Sequence, residues 1–184
     1  LSSHDQARAL HVLGGPLGAS PEALQKAKQK LRLATAVQMS LPGSPTVYYG
    51  DEVGVTGGDD PYNRMTYPWA DLGGQPDLAL RADFKALLKL RQDKQVLRRG
   101  VLNAPLVSTA SSLVLSRQTA TEQVLMAFNN SEKIQTHTIK TPSFLLRKQG
   151  AFWWGNGAVT FQGQQMTVSI PPFGAWIWGT TKSK

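Results

Sequence analysis

The pattern of apolar residues changes near Gly100, and this change constrains the fold more than any other feature of the sequence. Before it, residues 20–41 and 77–97 have the Leu and Ala spacing of amphipathic helices. After it come short β-rich segments, separated by turn signals such as Asn129-Asn130 and Asn156-Gly157. The sequence therefore predicts helices with a few strands first and an antiparallel β module second.

Both helices carry recognisable boundary signals. Ser20 is suited to the N-cap of the first helix and Pro21 to its first helical position, and Pro42 ends it. Pro76 opens the second helix. The apolar face expected of that helix consists of Leu78, Leu80, Phe84, Leu87, Leu88 and Leu90.

Two stretches next to the helices are predicted to be strands. The chain begins with what resembles a strand end followed by a loop, and "PTVYYG" (45–50) is a β-branched and aromatic run that is typical of a buried strand. Residues 51–75 then form a long loop rich in Gly, Asp and Pro, and such loops are usually functional. Two strand–helix units cannot cover both faces of a parallel sheet. We therefore expect a larger parent protein, with an upstream polypeptide or a second copy covering these elements.

Composition excludes several classes of protein. There is no cysteine, so disulfides and thiolate metal sites are excluded, and no apolar run approaches the length of a membrane span. The net charge of +8 suggests nucleic-acid binding, but the Lys and Arg residues fall in the two helical stretches without interleaved aromatic residues. Charged helix surfaces are therefore the interpretation we favour, with no nucleic acid and no membrane as partner. No targeting segment is present, which leaves a secreted or a cytoplasmic location open.

Three stretches, taken in order, resemble the alpha-amylase superfamily of glycoside hydrolases, and within it the neopullulanase- and amylopullulanase-like enzymes. "SSHDQAR" resembles the last catalytic motif of the family, "GSPTVYYGDEVGVTGGDDPYNRMTYPW" the eighth barrel strand with its loop, and "ALLKLRQDKQVLRRG" the final barrel helix. The resemblance implies an α/β plus all-β fold. Residues 1–99 would be the last part of a (β/α)8 TIM barrel (strand 7 end, helix 7, strand 8, helix 8), and residues 100–184 a C-terminal antiparallel β-sandwich.

The resemblance also implies a catalytic role for the first motif. Family enzymes are retaining and use three carboxylates, of which Asp5 matches the one that stabilises the transition state. His4 matches the neighbouring imidazole that hydrogen-bonds the sugar hydroxyls. The nucleophile and the general acid belong to earlier strands, so this chain alone is expected to be inactive. The expected substrate is an alpha-1,4 glucan, with alpha-1,6 bonds open and with hydrolysis not separable from transglycosylation.

The loop after the eighth strand matches residues that contact sugar in neopullulanase-like relatives. Asp60 and Arg64 match an Asp-Arg pair of the donor-side subsites, and their spacing of four allows them to pair across a turn. The alternative is a salt bridge that only braces the loop. Tyr62 has a ring that can stack on a glucose residue.

Three further residues are expected to act through their neighbours. Asp51 and Glu52 directly follow the eighth strand and are expected to brace the loop rather than to act as catalysts. Arg8 either anchors its loop or touches the catalytic carboxylates, and anchoring is favoured.

Other interpretations stay open at this point. A non-catalytic, amylase-like scaffold for sugar binding or protein interaction is the main alternative to an enzyme. Trp153-Trp154 and "FGAWIW" either form a carbohydrate-binding face or fill a sandwich core. Nothing resembles the calcium-binding insertion of amylases, and His11 and His137 have no second ligand nearby, so no metal or cofactor site is predicted in these residues. Calcium in the longer parent is left open.

Overall fold

A computed structural model describes residues 1–145 and 149–181. The chain divides into two compact units, Leu1–Gln38 with Ser44–Leu87 and Met39–Gly43 with Leu88–Lys184. The α-helices of the described residues are α1 (Ala9–Val12), α2 (Pro21–Ser40), α3 (Leu78–Asp93) and α4 (Gln95–Arg99). Single 3-10 turns lie at Asp51–Val53, Tyr62–Arg64, Ala70–Leu72 and Ser143–Leu145.

Helix α2 begins and ends where its sequence signals indicate. The Ser20 hydroxyl oxygen accepts a hydrogen bond from the Ala23 N–H at 3.2 Å, which satisfies one of the free donors of the first turn. The helix ends at Ser40, shortly before Pro42. The predicted first helix is therefore confirmed.

The second predicted helix is interrupted at Lys94. Its backbone is extended there (φ −96°, ψ 110°), so that α3 and α4 are separate helices. Glu122 Oε2 accepts a hydrogen bond from the Val96 N–H at 2.8 Å and so satisfies a donor that the break leaves free. The predicted apolar face is also wrong for Leu78 and Leu88, which are 65% and 40% exposed.

The first unit has its own apolar core, to which α1, α2 and α3 contribute. Its buried members are Ala9, Leu10, Ala27, Leu31, Leu80 and Phe84. Because α1 directly follows residues 1–8, this core holds one end of the segment that carries His4 and Asp5.

The predicted strands at the start of the chain and at residues 45–50 are not observed. Residues 1–8 and 44–50 have no strand, although residues 51–75 form the expected loop with its 3-10 turns. A parallel strand exists only when it is hydrogen-bonded to a neighbouring strand, and no described segment provides that neighbour.

The second unit is built from antiparallel strands, which confirms the predicted β module. Its strands are β1 (Val101–Leu102), β2 (Val107–Ser108), β3 (Ser112–Gln118), β4 (Glu122–Asn129), β5 (Gln135–Lys140), β6 (Ala151–Gly155), β7 (Ala158–Gln162), β8 (Gln165–Ile170) and β9 (Ala175–Thr181). One sheet has the order β1-β3-β4-β9-β6, with β2 also paired to β3, and the other has the order β5-β8-β7. The β-rich stretch 138–146 reaches Leu146, which lies outside the described residues.

Side chains of both sheets form one core. Leu125 and Trp176 of the larger sheet belong to the same buried cluster as Met166 and Val168 of the smaller one. Trp176 and Trp178 are 0% and 6% exposed, so the two tryptophans of "FGAWIW" fill this core and do not form a sugar-binding face. Trp153 instead lies 4.2 Å beneath the Lys94 ammonium group.

Two buried arginines satisfy carbonyl groups at the end of α2. Arg91 Nη1 donates to the carbonyl oxygens of Met39 (2.6 Å) and Leu41 (3.0 Å), and Arg117 Nη1 donates to that of Ser40 (2.9 Å). These are the acceptors that a helix leaves unpaired at its C-terminus. The prediction that the cations of the second helix lie on a solvated surface is therefore wrong for Arg91.

Candidate active site

Two loops of the first unit meet at the predicted site. The first contains His4 and Asp5, and the second runs from Tyr48 to Met65. The backbone N–H of Arg8 donates to the carbonyl oxygen of Gly57 at 2.9 Å, which joins the two loops directly. A Cβ on Gly57 would lie 2.0 Å from the carbonyl oxygen of Tyr62, so only glycine permits this approach of backbone to backbone.

Arg8 is fully buried and lies between the two loops. Its Nε donates to the carbonyl oxygen of Asn63 at 2.7 Å, and its Nη1 donates to that of Tyr49 at 2.5 Å. The guanidinium carbon lies 4.2 Å and 4.5 Å from the ring centroids of Tyr48 and Tyr49. These contacts fix the second loop relative to the first.

Asp51 is buried beside this arginine. One of its carboxylate oxygens accepts a hydrogen bond from the Ser2 hydroxyl at 2.8 Å and lies 3.5 Å from Arg8 Nη1. Burial raises the pKa of Asp51, and it outweighs the Ser2 hydrogen bond and the Arg8 charge, both of which act to lower that pKa. Glu52 is half-buried, and its Oε2 has no hydrogen-bond partner in the described part of the chain.

The predicted sugar-facing residues lie together at the exposed side of these loops. His4 Nε2 is 3.1 Å from Asp5 Oδ2. Arg64 Nε is 3.2 Å from Asp60 Oδ1 and donates to the carbonyl oxygen of His4 at 3.1 Å, while Arg64 Nη2 is 4.0 Å from Asp5 Oδ1. Two carboxylates, an imidazole and a guanidinium group thus form one cluster that is open to solvent.

The 3-10 turn Tyr62–Arg64 positions the second half of this cluster. Asn63 points inward and is 1% exposed, whereas Arg64 points outward to the carboxylates. Tyr62 is 64% exposed and has its ring free of any packing that would bury it. One short turn therefore supplies an exposed aromatic ring, a buried amide and an exposed cation.

Asn63 is the residue that the sequence reasoning missed. Its Nδ2 donates to the carbonyl oxygen of His4 at 2.9 Å, and its own backbone carbonyl oxygen accepts a hydrogen bond from Arg8 Nε. Asn63 therefore connects the buried Arg8 with the exposed cluster. Its place in "DPYNR", next to Arg64, was the available signal, but an inward direction cannot be read from sequence spacing in a loop.

The described residues contain no group of three or more His, Cys, Asp or Glu side chains that could hold a metal ion. Among the helices of the same residues, none is both long and apolar enough to cross a membrane.

Comparison with known proteins identifies relatives by sequence. The family described as alpha amylase, catalytic domain, matches residues 1–99. Over 93% of its length the chain is 36% identical to an amylopullulanase from Thermoanaerobacterium saccharolyticum, of which it covers 14%. Over 97% of its length it is 31% identical to neopullulanase 2 from Thermoactinomyces vulgaris, of which it covers 28%.

Comparison of structures identifies a similar enzyme. The crystal structure of a debranching enzyme from Nostoc punctiforme is similar with a TM-score of 0.80 at 26% identity, over 98% of this chain and 34% of that protein. The chain therefore spans between 14% and 34% of the length of these three relatives.

Proposed function

The chain belongs to the alpha-amylase family of glycoside hydrolases, and we propose that it supplies part of the active site of a retaining alpha-glucan hydrolase. The observation that carries this proposal is the cluster in which Arg64 approaches Asp5, Asp60 and the carbonyl of His4. A cluster of hydrogen-bonding groups that is exposed to solvent suits a neutral, hydroxyl-rich ligand.

In this proposal residues 1–99 are the last part of the (β/α)8 barrel, and residues 100–184 are the C-terminal β-sandwich. The segment before α2 takes the place of the end of strand 7, residues 45–50 take that of strand 8, and α2 and α3 are helices 7 and 8. An upstream polypeptide or a second copy provides the strands that pair with both segments. The absence of a strand at residues 45–50 in the described chain agrees with this requirement.

Asp5 stabilises the transition state, and His4 helps it to hold the sugar that is cleaved. Their side chains are adjacent and exposed, so that a carboxylate and an N–H donor can grip neighbouring hydroxyl groups. Such bonds accelerate the reaction when they strengthen as the sugar ring flattens towards the oxocarbenium-like transition state. Neither residue forms a covalent bond with the substrate.

Asp60 and Arg64 bind the donor-side sugar, and Tyr62 stacks on it. Arg64 of this pair also donates to the His4 carbonyl oxygen, which fixes the binding residues relative to the catalytic ones. Arg8, Asp51 and Glu52 lie behind this surface and brace the loops without touching substrate.

The substrates are alpha-1,4-linked glucans, and we include the alpha-1,6 bonds of pullulan. The relatives named amylopullulanase and neopullulanase 2 support this choice. Because the chain lacks the nucleophile and the general acid that the family carries on earlier strands, residues 1–184 alone should not hydrolyse these substrates.

The proposal is tested by replacing Asp5→Asn in the whole gene product. We expect kcat for maltohexaose to fall by at least about a hundredfold, because one group that stabilises the transition state is lost. Asp59→Asn is the matched control, since it changes an exposed carboxylate of the neighbouring loop that has no place in the cluster. Equal activity of the two variants would show that Asp5 is not a catalytic-site residue.

A further inference from the structure

Asn156 and Gly157 form the whole connection between strands β6 and β7. In the strand orders of the described residues, β6 is at the edge of the larger sheet and β7 is at the edge of the smaller one, so this connection joins the two sheets. Both residues are exposed to solvent. Asn156 belongs neither to the cluster around Arg64 nor to the core of the sandwich.

An asparagine that is followed by glycine can react with its own backbone. The peptide nitrogen of the glycine loses its proton to solvent and attacks the side-chain carbonyl carbon of the asparagine. A new C–N bond forms, and the side-chain amide leaves as ammonia. Water then opens the resulting succinimide ring and leaves either aspartate or isoaspartate. Glycine favours this reaction because it has no side chain to hinder the approach and its backbone adopts many conformations.

The structure leaves both reacting groups of this pair free. Among the described residues, no group forms a hydrogen bond with the Asn156 side chain or with the Gly157 N–H. A peptide nitrogen in this state attacks without first losing an intramolecular hydrogen bond. The exposed side chain of Asn156 can rotate towards that nitrogen, since no contact holds it elsewhere.

The adjacent asparagines of the next exposed turn are held in a way that opposes this reaction. After Asn129, the Asn130 N–H donates to the carbonyl oxygen of Ser111 at 2.8 Å. After Asn130, the Ser131 N–H donates to the Asn129 side-chain oxygen at 2.9 Å. Asn130 is as open to solvent as Asn156, but the nitrogen that would attack its side chain is engaged.

The two remaining asparagines are restrained as well. Asn63 is 1% exposed, and the N–H of Arg64, which follows it, donates to the Pro61 carbonyl oxygen at 3.0 Å. Asn103 Nδ2 donates to the Ser116 hydroxyl oxygen at 3.1 Å. In the described part of the chain, exposure, an unbound side chain and an unbound following N–H therefore coincide at Asn156.

We propose that Asn156 is a site of spontaneous deamidation, through a succinimide formed with Gly157, and that this modification limits the lifetime of the β-sandwich. Water is the only co-reactant. The inference does not depend on the proposed function, because every group that takes part in it belongs to the second unit.

The connection is packed too closely to accept the product without a change in structure. A Cβ on Gly155 would lie 2.2 Å from the Ala175 carbonyl oxygen, and one on Gly157 would lie 2.3 Å from Cδ1 of Trp176. Isoaspartate adds one methylene group to the main chain between these two contacts, and both products add a negative charge. Trp176 is fully buried in the core shared by the two sheets, so a displaced connection should loosen the packing around it.

Peptide mapping by mass spectrometry tests the modification in the whole gene product during incubation in mildly alkaline buffer. Asn156 should be converted at least about tenfold faster than Asn130, because one hydrogen bond of the attacking nitrogen distinguishes the two sites. Asn156→Gln should show no conversion at this position, since its longer side chain closes a ring more slowly. Asn130→Gln is the matched control and should leave the conversion of Asn156 unchanged. Equal rates at the two sites, or a faster reaction at Asn130, would overturn the proposed site.

Urea unfolding of fresh and incubated protein tests the consequence for the sandwich. The incubated wild type and Asn130→Gln should unfold at lower urea concentrations than the fresh proteins, whereas Asn156→Gln should keep its midpoint. An unchanged midpoint in protein that mass spectrometry shows to be modified at Asn156 would overturn the proposed limit on the lifetime of the sandwich.

Discussion

Arg64 holds acceptors from three residues on both loops of the candidate site. Its contacts are with Asp60, Asp5 and the His4 carbonyl. The pairing of Asp60 with Arg64 could be predicted from their spacing of four residues. The approach of Arg64 to His4 could not, because it depends on how two loops separated by about sixty residues of chain pack on Arg8 and Asn63.

The geometry of Arg64 leads to a prediction about a conservative change. A guanidinium group is a planar fork with several donors, whereas an ammonium group is a single charge on a flexible stem. Arg64→Lys should therefore lower kcat/KM for maltohexaose by about tenfold through lost positioning of His4 and Asp60. Arg81→Lys, at an exposed position of α3, is the control and should leave kcat/KM unchanged. A full retention of activity by Arg64→Lys would contradict the positioning role.

Asp51 gives a prediction for the pH dependence of stability. Burial raises its folded-state pKa above the ordinary value of 3.8, so the folded state holds the proton where the unfolded state has already lost it. The contribution of Asp51 to the free energy of unfolding is therefore greatest at low pH and is lost as the pH rises through the folded-state pKa.

Urea unfolding of the wild type and of Asp51→Asn, from below pH 3.8 to above the folded-state pKa of Asp51, measures this pH dependence of stability. The free energy of unfolding of the wild type, relative to the variant, should fall as the pH rises and then level off. Asp59→Asn serves as the control for the loss of one negative charge. A relative stability that rises with pH would mean that the Arg8 and Ser2 contacts outweigh the burial of Asp51.

At the scale of elements, prediction from sequence succeeded where local signals decide the outcome. Helix α2 follows from the Ser20 cap and the Pro42 stop, and the β module follows from its turns and β-branched segments. The prediction of a strand at residues 45–50 was wrong, because a strand forms only when it is hydrogen-bonded to a neighbouring strand. The break at Lys94 was not predicted, because the Glu122 carboxylate that supports it lies in a strand far along the chain.

Helix α3 depends on a cap that can be removed. Asp77 Oδ1 accepts a hydrogen bond from the Leu80 N–H at 2.8 Å, and Oδ2 lies 2.7 Å from Lys28 Nζ. Burial is the largest single influence and acts to raise the pKa of Asp77, but the Leu80 and Lys28 contacts together lower it. The carboxylate form is therefore favoured in the folded state.

Asp77→Ala should lower the free energy of unfolding by about 1–2 kcal/mol at neutral pH, through loss of the cap and its ion pair. The advantage of the wild type should be present at neutral pH and disappear as the pH falls through the lowered pKa of Asp77. Asp93→Ala removes the exposed pair with Lys89 at the other end of α3 and should cost no more than about 0.5 kcal/mol. Equal effects of the two variants in urea unfolding would show that Asp77 is not a cap.

At the scale of the whole molecule, the proposed function assigns to this chain one carboxylate of a three-carboxylate mechanism together with residues that bind the sugar. In this proposal the cluster around Arg64 binds the sugar, and the groups that attack and protonate the glycosidic bond come from upstream residues. The resemblance of "SSHDQAR" and "DPYNR" to family motifs predicted the family, because the residue types in such loops follow from the chemistry of the site. It could not predict the internal support of the loops by Arg8, Asn63 and Gly57, which arises only from tertiary packing.

Hydrolysis of maltohexaose and pullulan by the whole gene product and by residues 1–184 alone, followed by proton NMR of the new anomeric centre, tests this division most directly. The whole gene product should release sugars that first have the α-configuration of the substrate, and the isolated chain should release none. Release of β-configured sugar by the whole gene product, or any hydrolysis by the isolated chain, would contradict a retaining mechanism shared between this chain and upstream carboxylates.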